Sequence, residues 1–440
     1  MSAAEYNDPG LKLLPARTVA LALALVLGIC AVALGIASLP WSPARSATAP
    51  RVTATVRGSG GLRAGAAEVR FDLPRGVPIA GFPRFWWGSE GNHGPVGARA
   101  LVLEEPGCRV ALVSAELLLV PESLHDEVAS RVADLRLSGL LVAATHTHAG
   151  PGGYWESSLG SHVATGPYDP AVREAVVAAI VQAIREAAES LAPARLATAC
   201  SSADDLARSR SGGLEDAPLT VLRVEAADEK PLAEVTIFAA HATLLGARNR
   251  VISGDWPGRF LAAGAHGLRL FFQGAIGDQS TEGPSSGSVR GFANVLSSRV
   301  AGIPFGKADP APPLAWAQAE VGLPDSEIAG APLLLRRAAR NLALRGFPAS
   351  ARVEALQLGP VLLAAVPAEP VAAVASGWRA SLPPKTVVVS LANGYVGYVE
   401  APERVAAGEG EADRTYYGAT LAPTLGAAVK AAAGALGPPR

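Results

Sequence analysis

The sequence predicts an α/β fold: a single large mixed α/β domain preceded by one N-terminal transmembrane helix. Three observations predict it. Short apolar runs rich in Val, Leu and Ile recur along the chain, as strands buried on both faces require. Longer Ala-rich stretches with helical spacing stand between some of these runs, and strands alternating with helices mark the α/β class. Near the N-terminus, one uncharged apolar run is long enough to cross a bilayer.

Residues 1–17 form a short N-terminal tail, and 18–40 (TVALALALVLGICAVALGIASLP) carry no charge. A helix rises about 1.5 Å per residue, so about 20 such residues span the hydrocarbon core. The apolar core of a cleaved signal peptide is usually only about 7–15 residues. The longer run here reads as an uncleaved signal anchor; secretion after cleavage is the alternative. Residues 41–61 (WSPARSATAPRVTATVRGSGG) are small and polar with Pro and Gly, and read as a linker. The folded domain is expected to run from 62 to 440.

Within it, strands are expected at Arg109–Ser114, Leu140–Ala144, Leu219–Val224, Glu234–Ala239, Leu268–Phe272, Val361–Val366 and Val387–Leu391. Helices are expected at Glu122–Leu135 and Asp169–Leu191. The Pro-rich stretch Ile303–Leu314 reads as a surface excursion or a seam.

Composition narrows the function. With 440 residues, 49% of them hydrophobic, the chain can bury a large core. A formal net charge of -1 leaves no basic field for a nucleic-acid backbone, so no nucleic-acid partner is expected. The three cysteines, Cys30, Cys108 and Cys200, have no CxxC spacing. Cys108 and Cys200 read as two buried free thiols, with one disulfide as the alternative.

Four of the apolar runs are followed by polar, Gly-rich clusters: THTHAGPGGYW, HATLLGARNRVISGDWPG, QGAIGDQSTEG and NGYVGYVEAPE. In open α/β sheets, ligands bind outside the carboxyl ends of the strands, so the four clusters are expected to converge. His146 and His148 share one side of an extended chain. One binds metal while the other acts as base, or both are ligands, or both are structural. His241 ends an apolar run, where a lone histidine is more often structural. Glu369 follows LLAAVPA, where a buried carboxylate calls for a cation or metal unless a loop exposes it. Ser280, in GDQS, is not in a G-x-S-x-G elbow and reads as a loop serine. Tyr395, Tyr398, Tyr416 and Tyr417 form a late cluster suited to metal binding, oxyanion donation or simple packing.

In this order the motifs resemble the neutral (non-lysosomal) ceramidases. The matching segments are THTHAGPGGY (145–154), FAAHAT (238–243) with SGD (253–255), QGAIGDQS (273–280), VPAE (366–369) and NGYVGYVEAPE (393–403). The resemblance implies a Zn2+ site formed by His146, His241, Glu369 and Tyr398. It also implies catalytic roles for His148, Arg208, Ser280 and Tyr416. Arg208 lies in LARSRS, where Ala207 and Arg210 replace the family's Asn and Pro. The activity it implies is hydrolysis of the amide of ceramide or a related N-acyl lipid, giving a fatty acid and a sphingoid-type amine. The alternatives are a zinc amidase or esterase on a non-sphingolipid substrate, and a silent lipid-binding homologue. The implied partners are a lipid substrate and a membrane, with the catalytic domain outside the cytoplasm. The family's C-terminal immunoglobulin-like domain is expected to be absent.

Overall fold

Side chains along Gly97–Glu105 (β3) alternate between two cores: Ala98, Ala100 and Val102 face one, Leu101 and Leu103 the other. This period of two makes the strand one leaf of a layered fold with apolar contacts on both faces. Cys108–Ala115 (β4) and Gly139–Ala144 (β5) repeat the pattern beside it. These contacts come from a computed structural model, which describes residues 28, 45–82, 88–157, 160–214, 216–283, 285–326 and 346–437.

The remaining strands are Arg51–Arg57 (β1), Arg63–Arg70 (β2), Ala192–Ser202 (β6), Ala207–Ser209 (β7), Pro218–Ala226 (β8), Pro231–Phe238 (β9), Leu268–Gln273 (β10), Gln279–Thr281 (β11), Leu314–Gly322 (β12), Ser350–Leu358 (β13), Val361–Ala365 (β14), Glu369–Pro370 (β15), Thr386–Val389 (β16) and Tyr398–Val399 (β17). They form an eight-stranded sheet, β10-β9-β8-β6-β2-β3-β4-β5, and a five-stranded sheet, β1-β12-β13-β14-β16. Two short ribbons, β11-β7 and β15-β17, complete the set. The larger sheet is mostly antiparallel, with parallel pairs only at its edges, β9 with β10 and β4 with β5.

One core lies between the two sheets, joining Leu101, Leu112 and Ile237 to Trp316, Leu356 and Leu363. The larger sheet curls, so that β10 meets β4: Ser114 Oγ donates to the Phe271 carbonyl at 2.7 Å. Helices cover the outer faces. Pro170–Glu189 buries Val176, Ile180 and Ile184 against β2 and β3. It starts at Asp169, whose side chain accepts from Ala171 N at 2.9 Å, with Pro170 at the first helical position. Leu421–Ala435 packs on β12 and β13.

All seven expected strands and both expected helices occur, with shifts of a few residues at their ends. The linker expectation needs correction. Arg51–Arg57 (RVTATVR) is β1, paired antiparallel with β12, because β-branched alternation suits a half-exposed edge. The Ile303–Leu314 stretch carries the chain from the larger sheet to the smaller and is tied down by Leu62 N to Pro310 O and Leu196 N to Asp309 O, each 2.8 Å. Cys108 and Cys200 are both free; Cys108 is buried, but Cys200 is exposed on the outer part of β6. The anticipated span at 18–40 and Cys30 lie outside the described residues, Gly28 excepted. Among the described residues, no helix is long and apolar enough to cross a membrane.

Candidate metal centre

The four polar clusters meet beyond the carboxyl ends of β5, β9, β10 and β16. Gln273, the last residue of β10, fastens two of them: its amide donates to Thr145 O at 2.9 Å and to Ala240 O at 3.0 Å. Ser390 N in turn donates to Gln273 O at 2.9 Å, and His148 N donates to Ala242 O at 3.0 Å. The SGD segment holds the loop after His241, because Asp255 accepts from Leu245 N at 3.0 Å and from Trp256 N at 2.6 Å. Residues of these motifs therefore serve scaffolding as well as the site.

His146, His148 and His241 converge, each offering a ring nitrogen within 4.8 Å of the others. Each ring's Nδ1 donates to a backbone carbonyl: His146 to Leu118 O (2.8 Å), His148 to Gly81 O (2.9 Å) and His241 to Gln279 O (2.9 Å). A carbonyl only accepts, so these bonds fix the proton on Nδ1 in the neutral ring. Every Nε2 then points a lone pair into the centre, that of His241 within reach of the Tyr398 hydroxyl at 3.1 Å. His146 Nε2 stands 3.2 Å from His148 Nε2.

Glu369 faces the same point. Its Oε2 lies 3.3 Å from His146 Nε2 and 3.4 Å from His241 Nε2, yet it is buried without a hydrogen-bond donor. Its Oε1 is occupied, accepting from Tyr395 OH at 2.8 Å. Tyr398 OH lies 3.1 Å from His241 Nε2. Parallel pairing of β15 with β17 sets Glu369 against Tyr398 in the backbone register. Lone pairs converging on a donorless carboxylate oxygen are costly when buried unless a cation sits among them. Ligands about 2.0–2.2 Å from a tetrahedral zinc are separated by roughly 3.3 Å, which is the spacing found here. The donor set therefore fits a zinc ion.

Burial, with His146 and Arg210 nearby, lowers His241 to about 4 against the opposing pull of Glu369. Burial next to His146 and His241 holds His148 well below its ordinary value. For Glu369, burial works upward, but His146 and His241 outweigh it and hold the carboxyl well below its usual range. Tyr395 and Tyr398 are pushed well above the usual phenol value, mainly by burial and then by Glu369.

A cavity of about 520 Å³ opens over the centre. Phe82, Leu118, Leu119 and Ala164 line one part of it, and Arg210, Arg414 and Tyr416 another. Gly81 at its wall has φ +105, and a Cβ there would stand 2.5 Å from His148 Cα, so only glycine allows His148 this approach.

His146, His148, His241, Glu369, Tyr398 and Tyr416 thus come together. Two expected residues do not. Arg208 is 56% exposed and pairs with Glu282 on the far side of the β7-β11 ribbon. Arg210, two residues on, enters the cavity instead, donating from Nη2 to Gly277 O at 2.8 Å and to Tyr398 OH at 3.3 Å. The strand ends at Ser209, so the chain turns inward only after Arg208. Ser280 pairs with Arg208 in that ribbon and does not line the cavity; the ribbon delivers the neighbouring Gln279 carbonyl to His241. Sequence reasoning singled out Tyr395 only as one of the late tyrosine cluster, and gave no role to Arg210, Arg414 or Glu411. Nothing local signalled these three.

Fold and site define a mixed α/β protein built around a buried centre suited to metal. Residues 74–263 match the family described as neutral/alkaline non-lysosomal ceramidase, N-terminal. A neutral ceramidase of Mycobacterium tuberculosis is 30% identical over 192 residues, covering 38% of this chain and 30% of that protein. Neutral ceramidase B of Dictyostelium discoideum is 28% identical over 231 residues, covering 46% and 32%. The matched stretch spans about a third of the length of these relatives. In fold, the crystal structure of neutral ceramidase from Pseudomonas aeruginosa aligns with a TM-score of 0.72 at 20% identity, covering 86% of this chain and 74% of that one. The chain is thus similar to the neutral/alkaline non-lysosomal ceramidases in sequence over residues 74–263, and to a neutral ceramidase in fold over most of its length.

Proposed function

We propose that this protein is a zinc-dependent hydrolase that cleaves the amide bond of ceramide or a related N-acyl lipid. The observation that carries the reading is the meeting of imidazole lone pairs with the donorless Glu369 Oε2 inside a cavity with an apolar wall. The family match supports the substrate class. His146, His241, Glu369 and Tyr398 would hold the ion. Bound zinc would polarise the amide carbonyl and acidify water.

The rest of the chemistry falls to the chain's own residues. His148 is held by Gly81 O through Nδ1, so its Nε2 is free to take the proton of the attacking water. It then returns that proton to the departing nitrogen, without which an amine is a poor leaving group. Tyr416 stays protonated because burial raises it, and it can donate to the developing oxyanion. Arg210 takes the role first expected of Arg208, holding Tyr398 and adding positive charge beside the carbonyl. The products are a fatty acid and an amine. The apolar run at 18–40 would anchor the chain in a membrane, with the catalytic domain outside the cytoplasm and close to its lipid substrate.

The test is hydrolysis of N-palmitoyl-sphingosine by the purified full chain, before chelation, after it, and after zinc is returned. Loss and recovery of turnover is the expected result. A zinc-loaded chain that leaves this amide intact would exclude ceramide as the substrate, and one that also leaves other N-acyl amides intact would contradict the proposal.

A further inference from the structure

The two ends of the cavity differ in charge. At one end Phe82 packs beside His148, with ring centroids 5.1 Å apart, and Leu118, Leu119 and Ala164 extend an uncharged wall. At the other end Arg210 and Arg414 stand over the Tyr398 ring, each 5.6 Å from its centroid. One carboxylate serves both: buried Glu411 accepts from Arg210 Nε at 2.8 Å and from Arg414 Nη1 at 2.6 Å. Two guanidinium groups on one carboxylate leave a positive charge uncompensated at this end. Arg210 also bonds to Gly277 O and Tyr398 OH. The other N–H groups of Arg414 have no partner among the described residues, and its side chain is 57% exposed at the cavity mouth.

We propose that the amide substrate carries a carboxylate on its amine side, held by Arg414, which makes the substrate class N-acyl amino acids. This rests on the hydrolase reading above. The metal-holding atoms lie between the two ends, so an acyl chain laid along the apolar wall directs the amine portion toward the arginines. A sphingoid amine offers only hydroxyl groups there and leaves the Arg414 guanidinium to water. A carboxylate matches the planar guanidinium fork with two parallel hydrogen bonds, a geometry a lone hydroxyl cannot reproduce.

The experiment compares N-palmitoyl-glycine, N-palmitoylethanolamine and N-palmitoyl-sphingosine as substrates of the zinc-loaded full chain. The first two match in chain and size and differ in charge. The expected result is a kcat/KM for N-palmitoyl-glycine about tenfold or more above that for the ethanolamide. That ratio should fall toward one in Arg414→Gln, and should shrink at high salt because the group is partly exposed. A ratio near one in the unmodified chain, or a ratio that Arg414→Gln leaves unchanged, overturns the inference while the hydrolase reading stands. If none of the three amides is cleaved, the hydrolase reading fails and takes the inference with it.

Discussion

Tyr395→Phe isolates one hydrogen bond at the candidate metal centre. The hydroxyl it removes donates to Glu369 Oε1 at 2.8 Å, and burial keeps that phenol protonated as a donor. The ring stays, together with its edge contact to Trp155 at 6.3 Å between centroids. A hydrogen bond to a charged acceptor contributes about 1.5–3 kcal/mol, which corresponds to roughly 10- to 150-fold in a binding constant. Partners behind metal ligands typically cost 10–100-fold when removed, so two independent routes give the same magnitude. The loss should fall on zinc affinity, because without the bond Glu369 is free to turn Oε2 away from the centre. Competition with a chromophoric chelator measures it. Tyr417→Phe is the matched control, since that hydroxyl donates to Pro348 O, away from Glu369. If Tyr395→Phe binds zinc as tightly as the unmodified chain, Glu369 is not oriented as described and the ligand assignment loses its support.

Other perturbations separate the remaining roles. His146→Ala should lose zinc, whereas His148→Ala should keep most of it and lose about 10²–10⁴-fold in turnover; equal zinc loss in both would make His148 a ligand. Arg208→Ala should change melting temperature and turnover little, since its pair with Glu282 is exposed on both sides, while Arg210→Ala should lower turnover; the reverse ranking would restore Arg208 to the site. Glu116 is buried, and burial, offset in part by Arg99 and Gly97 N, raises it to about 7 from 4.5. Its folded form therefore holds a proton that the unfolded chain releases near 4.5, so stability falls as pH rises from about 4.5 to 7 and levels off above. The span corresponds to about 3 kcal/mol. Glu116→Gln should remove that slope, and parallel stability–pH curves for the two proteins would refute the cause.

What the sequence made legible follows from which signals are local. Fully buried strands such as Gly139–Ala144 and Val361–Ala365 are continuous apolar runs, so their existence could be read directly. Strands of mixed composition could not: Ala192–Ser202, half-exposed, and Ser350–Leu358, mostly buried, interleave charged, polar and small residues, and their pairing across the sheets supplies what propensity lacks. The sheet curl that brings β10 to β4 depends on contacts such as Ser114 to Phe271, 157 positions apart, and leaves no local mark. At the site, each metal-facing residue stands just beyond an apolar run, which made His146, His241 and Glu369 visible as candidates. Arg208 and Arg210 share a type and nearly a position; only the end of the β7-β11 ribbon decides that Arg210 is the one that turns into the cavity. Glu411 and Arg414 sit in a polar, irregular stretch, and their meeting with Arg210 comes from folding alone.

The most direct measurement is anomalous scattering at the zinc edge from crystals of the zinc-loaded chain. The account predicts one peak about 2.0–2.2 Å from His146 Nε2, His241 Nε2, Glu369 Oε2 and Tyr398 OH. No peak among these atoms, with Glu369 Oε2 instead accepting a proton directly from an imidazole, would contradict it.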